Sequence, residues 1–303
     1  MEYCDFPIHA WSRYRHHLRQ LCPRKARLNC CECRKGADDE AERQFHLLHD
    51  LRRRIPLHRY VQRLFSRRLR EYFYNDAGTE SNIQISSPEQ LAVVIHKQFD
   101  RELELMLCGS AAKDHKFYMI KELENKNCNI SRLISEADQT IDRMCQALKK
   151  ELWKLITSTG IISRRDIASP LALNINELRC YCAPLFALEK SGGLWIIENN
   201  CDDRIALLHK FYAVNALHRE PHLVRSFAYA PDSGELREAG LNLEVSRLLQ
   251  EISADSAYWA ELIAMPLESI PVNTEHCPEC EFSFFCNDYY PKMQLQSKNE
   301  VTI

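Results

Sequence analysis

Apolar side chains recur along this chain with two periods, and the period changes near residue 180. Trp11, Tyr14, Leu18 and Leu21 recur about every 3.6 residues, which predicts a helix over 8–29. The run CCECRKG (30–36) breaks that pattern. Asp38 and Asp39 then suit the start of a second helix, where acidic groups meet unpaired amides, and Phe45, Leu48, Leu51 and Ile55 follow it. Pro56 has no amide hydrogen to continue a helix, so it starts a new turn or kinks the old one. Beyond it Val61, Phe65, Leu69 and Tyr72 form one stripe, with Arg59, Arg63, Arg67, Arg68 and Arg70 mostly opposite. Residues 75–87 read as a loop. Residues 88–107 and 130–158 read as two further helices with a polar, Lys-rich stretch between them, and 163–174 as a turn-rich connector.

From residue 180 the segments shorten and become strand-like. CYCAPLFALE, KSGG and LWIIE read as a hairpin of two buried strands. Asp202 and Asp203 open a helix with Ile205, Leu208, Phe211 and Tyr212 inward. HLVRSFAYA and ELREAGLNL flank the turn PDSG as a second hairpin, and a helix over roughly 244–263 follows. Strands and helices in this order predict an α/β fold.

A length of 303 residues allows one large domain or two modest ones, and 45% hydrophobic residues suit a packed core. No apolar run approaches the roughly 20 residues that span a bilayer, and the N-terminus lacks a basic-then-apolar leader pattern. The expectation is a soluble, cytoplasmic protein with no membrane partner. The net charge of −2 conceals an asymmetry: residues 1–75 carry 17 Lys and Arg against 9 Asp and Glu, a balance of +8, which leaves −10 for the rest. Arginine dominates that basic quarter. Its guanidinium pairs with phosphate and stacks on bases, so the face bearing Arg59, Arg63 and Arg67 is a candidate nucleic-acid footprint or else a solvated helix surface.

Fourteen cysteines are many for a reducing compartment, where clustered thiols point to metal. Cys108, Cys128, Cys145, Cys180, Cys182 and Cys201 lie singly or alternate in apolar surroundings, where a thiol acts as a small hydrophobe. The segment HCPECEFSFFC differs: Cys277, Cys280 and Cys286 are spaced to direct three thiolates at one centre. Cys22, in LCPRKARL, is the candidate fourth ligand, with Cys30, Cys31 and Cys33 as a rival set.

Cys22-Pro23-Arg24-Lys25 near one end and Cys277-Pro278-x-Cys280-x-Phe282-x3-Cys286 near the other resemble the iron–sulfur branch of the RecB-like PD-(D/E)XK nucleases. That branch includes AddB and the CRISPR-associated RecB-like nucleases. The resemblance covers both ends and the hairpin region, while 76–175 match nothing in it. It implies a [4Fe–4S] cluster on Cys22, Cys277, Cys280 and Cys286, with Zn²⁺ as the alternative ion. It also implies a nuclease site: an Asp on one strand of a hairpin and Glu-x-Lys on the next hold Mg²⁺ or Mn²⁺, a preceding helix adds His, and a following helix adds Gln-x3-Tyr. His58, Glu198 and Tyr212 match that pattern. The first strand reads Cys182-Ala183-Pro184-Leu185-Phe186 with no carboxylate, Asn200 stands where Lys belongs, and Leu208 stands where Gln belongs. Glu189 or Asp202 would have to move in to restore a pair.

The expectation is therefore an α/β protein with a PD-(D/E)XK, restriction-endonuclease-like core. Its parts are a basic helical region (1–75), a helical insertion (76–175) and the α/β core with the C-terminal cysteines (176–303), the cluster clasping the two ends. It would bind DNA, single-stranded or at an end, alone or within a DNA-processing, repair or defence complex, with cleavage weak or absent. An active metal-dependent nuclease and a zinc-stabilised protein-interaction module are the alternatives. The motifs of serine hydrolases, phosphate loops and zincins are missing, and eight glycines are too few for a dinucleotide fold.

Overall fold

The computed structural model describes residues 11–29, 54–74, 87–109, 118–158, 160–161, 171–175, 178–182, 184–199, 201–240, 243–265 and 269–280. Its helices are α1 (Arg13–Leu21), α2 (Pro23–Asn29), α3 (Leu57–Tyr74), α4 (Pro88–Leu107), α5 (Ile130–Leu148), α6 (Leu152–Thr157), α7 (Asp203–Leu217) and α8 (Val245–Ala264). Its strands are β1 (Trp11–Ser12), β2 (Arg54–Ile55), β3 (Met119–Ile120), β4 (Gly160–Ile161), β5 (Leu171–Ile175), β6 (Leu178–Cys182), β7 (Phe186–Lys190), β8 (Gly193–Asn199), β9 (Val224–Ala230) and β10 (Glu235–Glu238). The fold is mixed α/β. The chain separates into two compact units, one of residues 1–53, 174–181 and 249–303, the other of 54–173 and 182–248.

The second unit is built on a five-stranded sheet in the order β10-β9-β8-β7-β4. β7 and β8 are antiparallel, with Phe186 opposite Ile197. Ser191 and Gly192 turn the chain between them at φ 51° and 76°, and two successive left-handed residues match the twist of the flanking strands. β8 and β9 are parallel, so a crossover must join them, and α7 supplies it. Side chains alternate across the sheet and divide its faces. Phe186, Leu188, Ile197, Phe227 and Tyr229 join a core with Val61, Phe65 and Leu69 of α3, Ile95 and Phe99 of α4, and Ile141 and Met144 of α5. Ile196 and its partner Ser226 point to the opposite face, as does Glu198 two residues along β8.

Local chemistry sets the helix ends. Ser87 Oγ accepts from the amide of Gln90 and Pro88 opens α4. Asn129 accepts from the Arg132 amide at 3.0 Å to start α5. The helix anticipated over 130–158 is two helices, because Lys149 and Lys150 turn the chain back with amide bonds to Gln146 and Ala147 of 3.2 and 3.1 Å. The helix anticipated over 8–29 is likewise interrupted at Cys22, since Pro23 cannot continue it. The helix expected after Asp38 lies outside the described residues except at its end, where Ile55 stands in β2 and not in a helix; of the loop expected over 75–87, only Ser87, which caps α4, is described.

The first unit holds α1, α2, β1, most of β6 and most of α8, with β1 and β6 paired in parallel, Trp11 opposite Cys180. Ala26 of α2, Trp259 and Leu262 of α8, and Ile270 form its small core. Arg24 donates from Nε and Nη2 to the Ile270 carbonyl at 3.0 and 2.7 Å. Asp255 of α8 is buried and pairs with both Arg19 and His16 of α1.

Candidate metal centre and nucleic-acid face

β8 carries Glu198 on the face of the sheet opposite the large helical core. The chain leaves β8 and reaches Asp202, whose carboxylate accepts from the Ile205 amide at 3.0 Å and starts α7. Nearly two turns later α7 delivers His209, fully buried, toward the same face. His209 Nε2 lies 2.9 Å from Glu198 Oε2. His209 Nδ1 lies 3.1 Å from Ser226 Oγ on β9. Cys182 precedes the segment that enters β7, where the Leu185 amide donates to the Ile197 carbonyl at 2.6 Å. One ligand atom each of Cys182, Glu198 and His209 lies within 4.8 Å of the other two. Cys182 and His209 are 4% and 0% exposed and the Glu198 side chain is 12% exposed, so the group is largely shielded from water.

The chemistry of this set is mixed: a sulfur, a carboxylate oxygen and an imidazole nitrogen. Sequence reasoning reached Glu198 only. Cys182 reads in the sequence as one more small hydrophobe; it is buried, and it also stands beside the polar side chains of Glu198 and His209. His209 was overlooked because it sits in an apolar run, RIALLHKF. The available signal was a polar side chain within the buried stretch of α7, which also includes Ile205, Ala206, Leu207 and Leu208.

The other expected site residues fall elsewhere. His58, exposed at the start of α3, lies 3.8 Å from Asp232 in the β9–β10 turn and is not in the three-donor group. Tyr212 is half-buried on α7. Asn200 lies outside the described residues. Neither substitute carboxylate joins Glu198 in that group: Glu189 pairs with Arg219, and Asp202 caps α7.

Arg59, Arg63 and Arg67 all lie on the exposed side of α3. The Arg63 guanidinium stacks 3.7 Å above the ring of Tyr118. Arg67 is paired with Glu102 of α4, a carboxylate only 5% exposed that also accepts from Tyr60 and Gln98. Burial and the Glu102 charge push the Tyr60 hydroxyl far above the usual tyrosine range. Arg67 is half exposed but its charge is paired with Glu102, which leaves Arg59 and Arg63 as the members of the row with no carboxylate partner among the described residues.

Of the clasp residues, Cys22, Cys277 and Cys280 fall in the first unit. Cys22 is 7% exposed at the α1–α2 junction, and its carbonyl accepts from the Ala26 amide at 3.0 Å. Cys277 is 5% exposed, and one 3₁₀ turn links it to Cys280, whose amide donates to the Cys277 carbonyl at 3.1 Å. Cys286, and the rival set Cys30, Cys31 and Cys33, lie outside the described residues. Among the described residues no helix is long and apolar enough to cross a membrane. No protein-family model, no curated protein and no solved structure matches the chain.

Proposed function

We propose that this chain is a nucleic-acid-binding protein on a PD-(D/E)XK-type core whose cutting chemistry is lost or severely weakened. The observation that carries the reading is the company kept by Glu198. A helix (α3), a hairpin (β7–β8) and a following helix (α7) occur in the order that the RecB-like resemblance asks for. Within that frame, the segment where the resemblance expects an Asp supplies Cys182, and the following helix supplies His209. Mg²⁺ requires hard oxygen ligands in near-octahedral geometry, and a thiol with an imidazole is a poor substitute. Water activation on a phosphodiester by Mg²⁺ has no firm footing there.

Binding is supported by the basic first quarter and by the exposed Arg59 and Arg63 on one helix face. The [4Fe–4S] cluster of this reading would be held by Cys22, Cys277, Cys280 and Cys286. Two of these thiols are buried, and three share one compact unit although about 250 residues separate them in the chain.

Anaerobically purified protein should bind a DNA duplex with an affinity that falls steeply with salt, as counterion release requires. Replacing Arg59 and Arg63 together by Ala should weaken binding to every sequence and flatten the log–log salt slope by about 1.8. Unchanged affinity in that double variant would mean that this face does not bind DNA. No cleavage above background is expected with Mg²⁺ or Mn²⁺. Robust cleavage that disappears in Glu198→Gln would overturn the reading in favour of an active nuclease.

A further inference from the structure

We propose that Cys182, Glu198 and His209 form a structural Zn²⁺ site in the sheet-bearing unit, separate from the cysteine clasp. The ligands would be Cys182 Sγ, a Glu198 carboxylate oxygen and His209 Nε2. This goes beyond the nucleic-acid reading and does not depend on it.

The first support is proximity under burial. Three atoms of the types zinc prefers lie within 4.8 Å of one another, although 27 positions of chain separate Cys182 from His209. At usual Zn–ligand lengths, about 2.3 Å to sulfur and about 2.0–2.2 Å to nitrogen and oxygen, a tetrahedral ion spaces its ligands by about 3.4–3.6 Å. The His209–Glu198 distance of 2.9 Å would need to open by only about half an ångström.

The second support is the outer partner of the imidazole. Ser226 Oγ lies 3.1 Å from Nδ1. If Nδ1–H donates to that oxygen, the lone pair of Nε2 faces the Glu198 carboxylate and the Cys182 sulfur. Two acceptors at 2.9 Å in so buried a site need a proton or a metal cation between them, and the nearby Cys182 sulfur offers a metal ion its third donor. A second hydrogen bond of this kind is how ligating histidines are held in one tautomer. The rival arrangement has the Ser226 hydroxyl donating to Nδ1 and Nε2–H donating to Glu198, with no ion. The two arrangements differ in one measurable thing, the metal.

The third support is the selectivity of the set. Sulfur and imidazole favour zinc over Mg²⁺ or Ca²⁺. Burial of the Cys182 and His209 side chains favours a structural role, with a water molecule in the fourth position of the tetrahedral ion. On binding, the Cys182 thiol releases its proton to solvent and sulfur donates an electron pair to the ion. No redox step is involved. The ion would then pin the entry to β7, the end of β8 and the middle of α7 to one another.

The test uses the full chain, purified without added metal and dialysed against a weak chelator. Zinc should remain on the wild type, be lost from Cys182→Ser and from His209→Gln, and be retained by Cys280→Ala, which alters only the clasp. Ser226→Ala keeps all three ligands and guards against variants that fail to fold; its zinc affinity should fall about 10-fold or more. Added Zn²⁺ should raise the melting temperature of the stripped wild type and protect Cys182 from alkylation, as judged by peptide mapping. Equal zinc content in wild type and folded Cys182→Ser would overturn the proposal. So would unchanged zinc affinity in Ser226→Ala together with alkylation of Cys182 that ignores Zn²⁺.

Discussion

Gly234 is the single residue on which the second hairpin most depends. It closes the β9–β10 turn at φ +73°, in the left-handed region that side chains disfavour. A Cβ at this position would lie 2.1 Å from the carbonyl oxygen of Ala147, in the last turn of α5. That neighbour is backbone and cannot rotate away. Gly234→Ala therefore combines strain with overpacking, and should destabilise by about 3 kcal/mol or more. Urea denaturation checks this; a loss under about 1 kcal/mol would show that the turn and α5 separate easily. The turn itself was legible, because Pro-Asp-Ser-Gly is a strong local signal. Its docking on Ala147 was not, since no local pattern records which distant carbonyl a glycine will meet. The same limit applies to the group of Cys182, Glu198 and His209. Glu198 was reached through the resemblance, where it matches the Glu of Glu-x-Lys, whereas Cys182 and His209 acquire meaning only when β8 and α7 are packed together. Cys145 and Cys180 do behave as the sequence suggested: burial pushes each thiol up to about 12, so both should resist alkylation in the native protein at neutral pH.

At the scale of elements, α4 and α5 are joined by a histidine clamp as well as by their apolar faces. His96 of α4 lies 2.7 Å from Asp138 and 3.0 Å from Asp142, which share one side of α5. Burial alone would lower the His96 pKa, but hydrogen bonds and charge from the two carboxylates outweigh it and raise the value. Lys149 and Glu89 face the same region and pair with each other. A histidine with a raised folded pKa contributes stability that is fully present below its unfolded pKa of about 6.5. The contribution disappears as pH rises through the higher folded value. His96→Gln should therefore lose more stability at about pH 5.5 than at about pH 8.5, read as the gap between urea midpoints. A gap that stays constant or widens with pH would contradict the clamp. Both carboxylates are substantially exposed, so the gap should also shrink with added salt. The boundaries of α4 were legible from Ser87, Pro88 and the apolar period that follows. The break between α5 and α6 was not, because the apolar period runs on past Leu148 while the backbone turns at Lys149 and Lys150.

Across the whole molecule, the first unit is assembled from chain segments that are far apart. Residues 1–53 and 249–303 make up most of it, with 174–181 as a third segment. Its described core is small, consisting of Ala26, Trp259, Leu262 and Ile270 with Tyr258 packed alongside. The polar ties are Arg24 to the Ile270 carbonyl, and Asp255 to Arg19 and His16. The sequence pattern held the cysteines of this unit in view but did not reveal these ties, because they join residues more than 230 positions apart. A unit assembled from segments this far apart gains much from a cross-link, and the proposed cluster closes a loop of roughly 250 residues. Cys280→Ala should therefore do two things at once. Iron content and absorbance near 400 nm should fall, and hydrogen exchange should accelerate in α1, α2 and α8. Exchange in β7, β8 and β9 should change far less, because those strands draw on the larger core of Phe65, Phe99, Ile141 and Phe186. Iron loss with no change in exchange would leave the cluster as a passenger rather than a clasp. Full iron in the variant would remove Cys280 from the ligand set altogether.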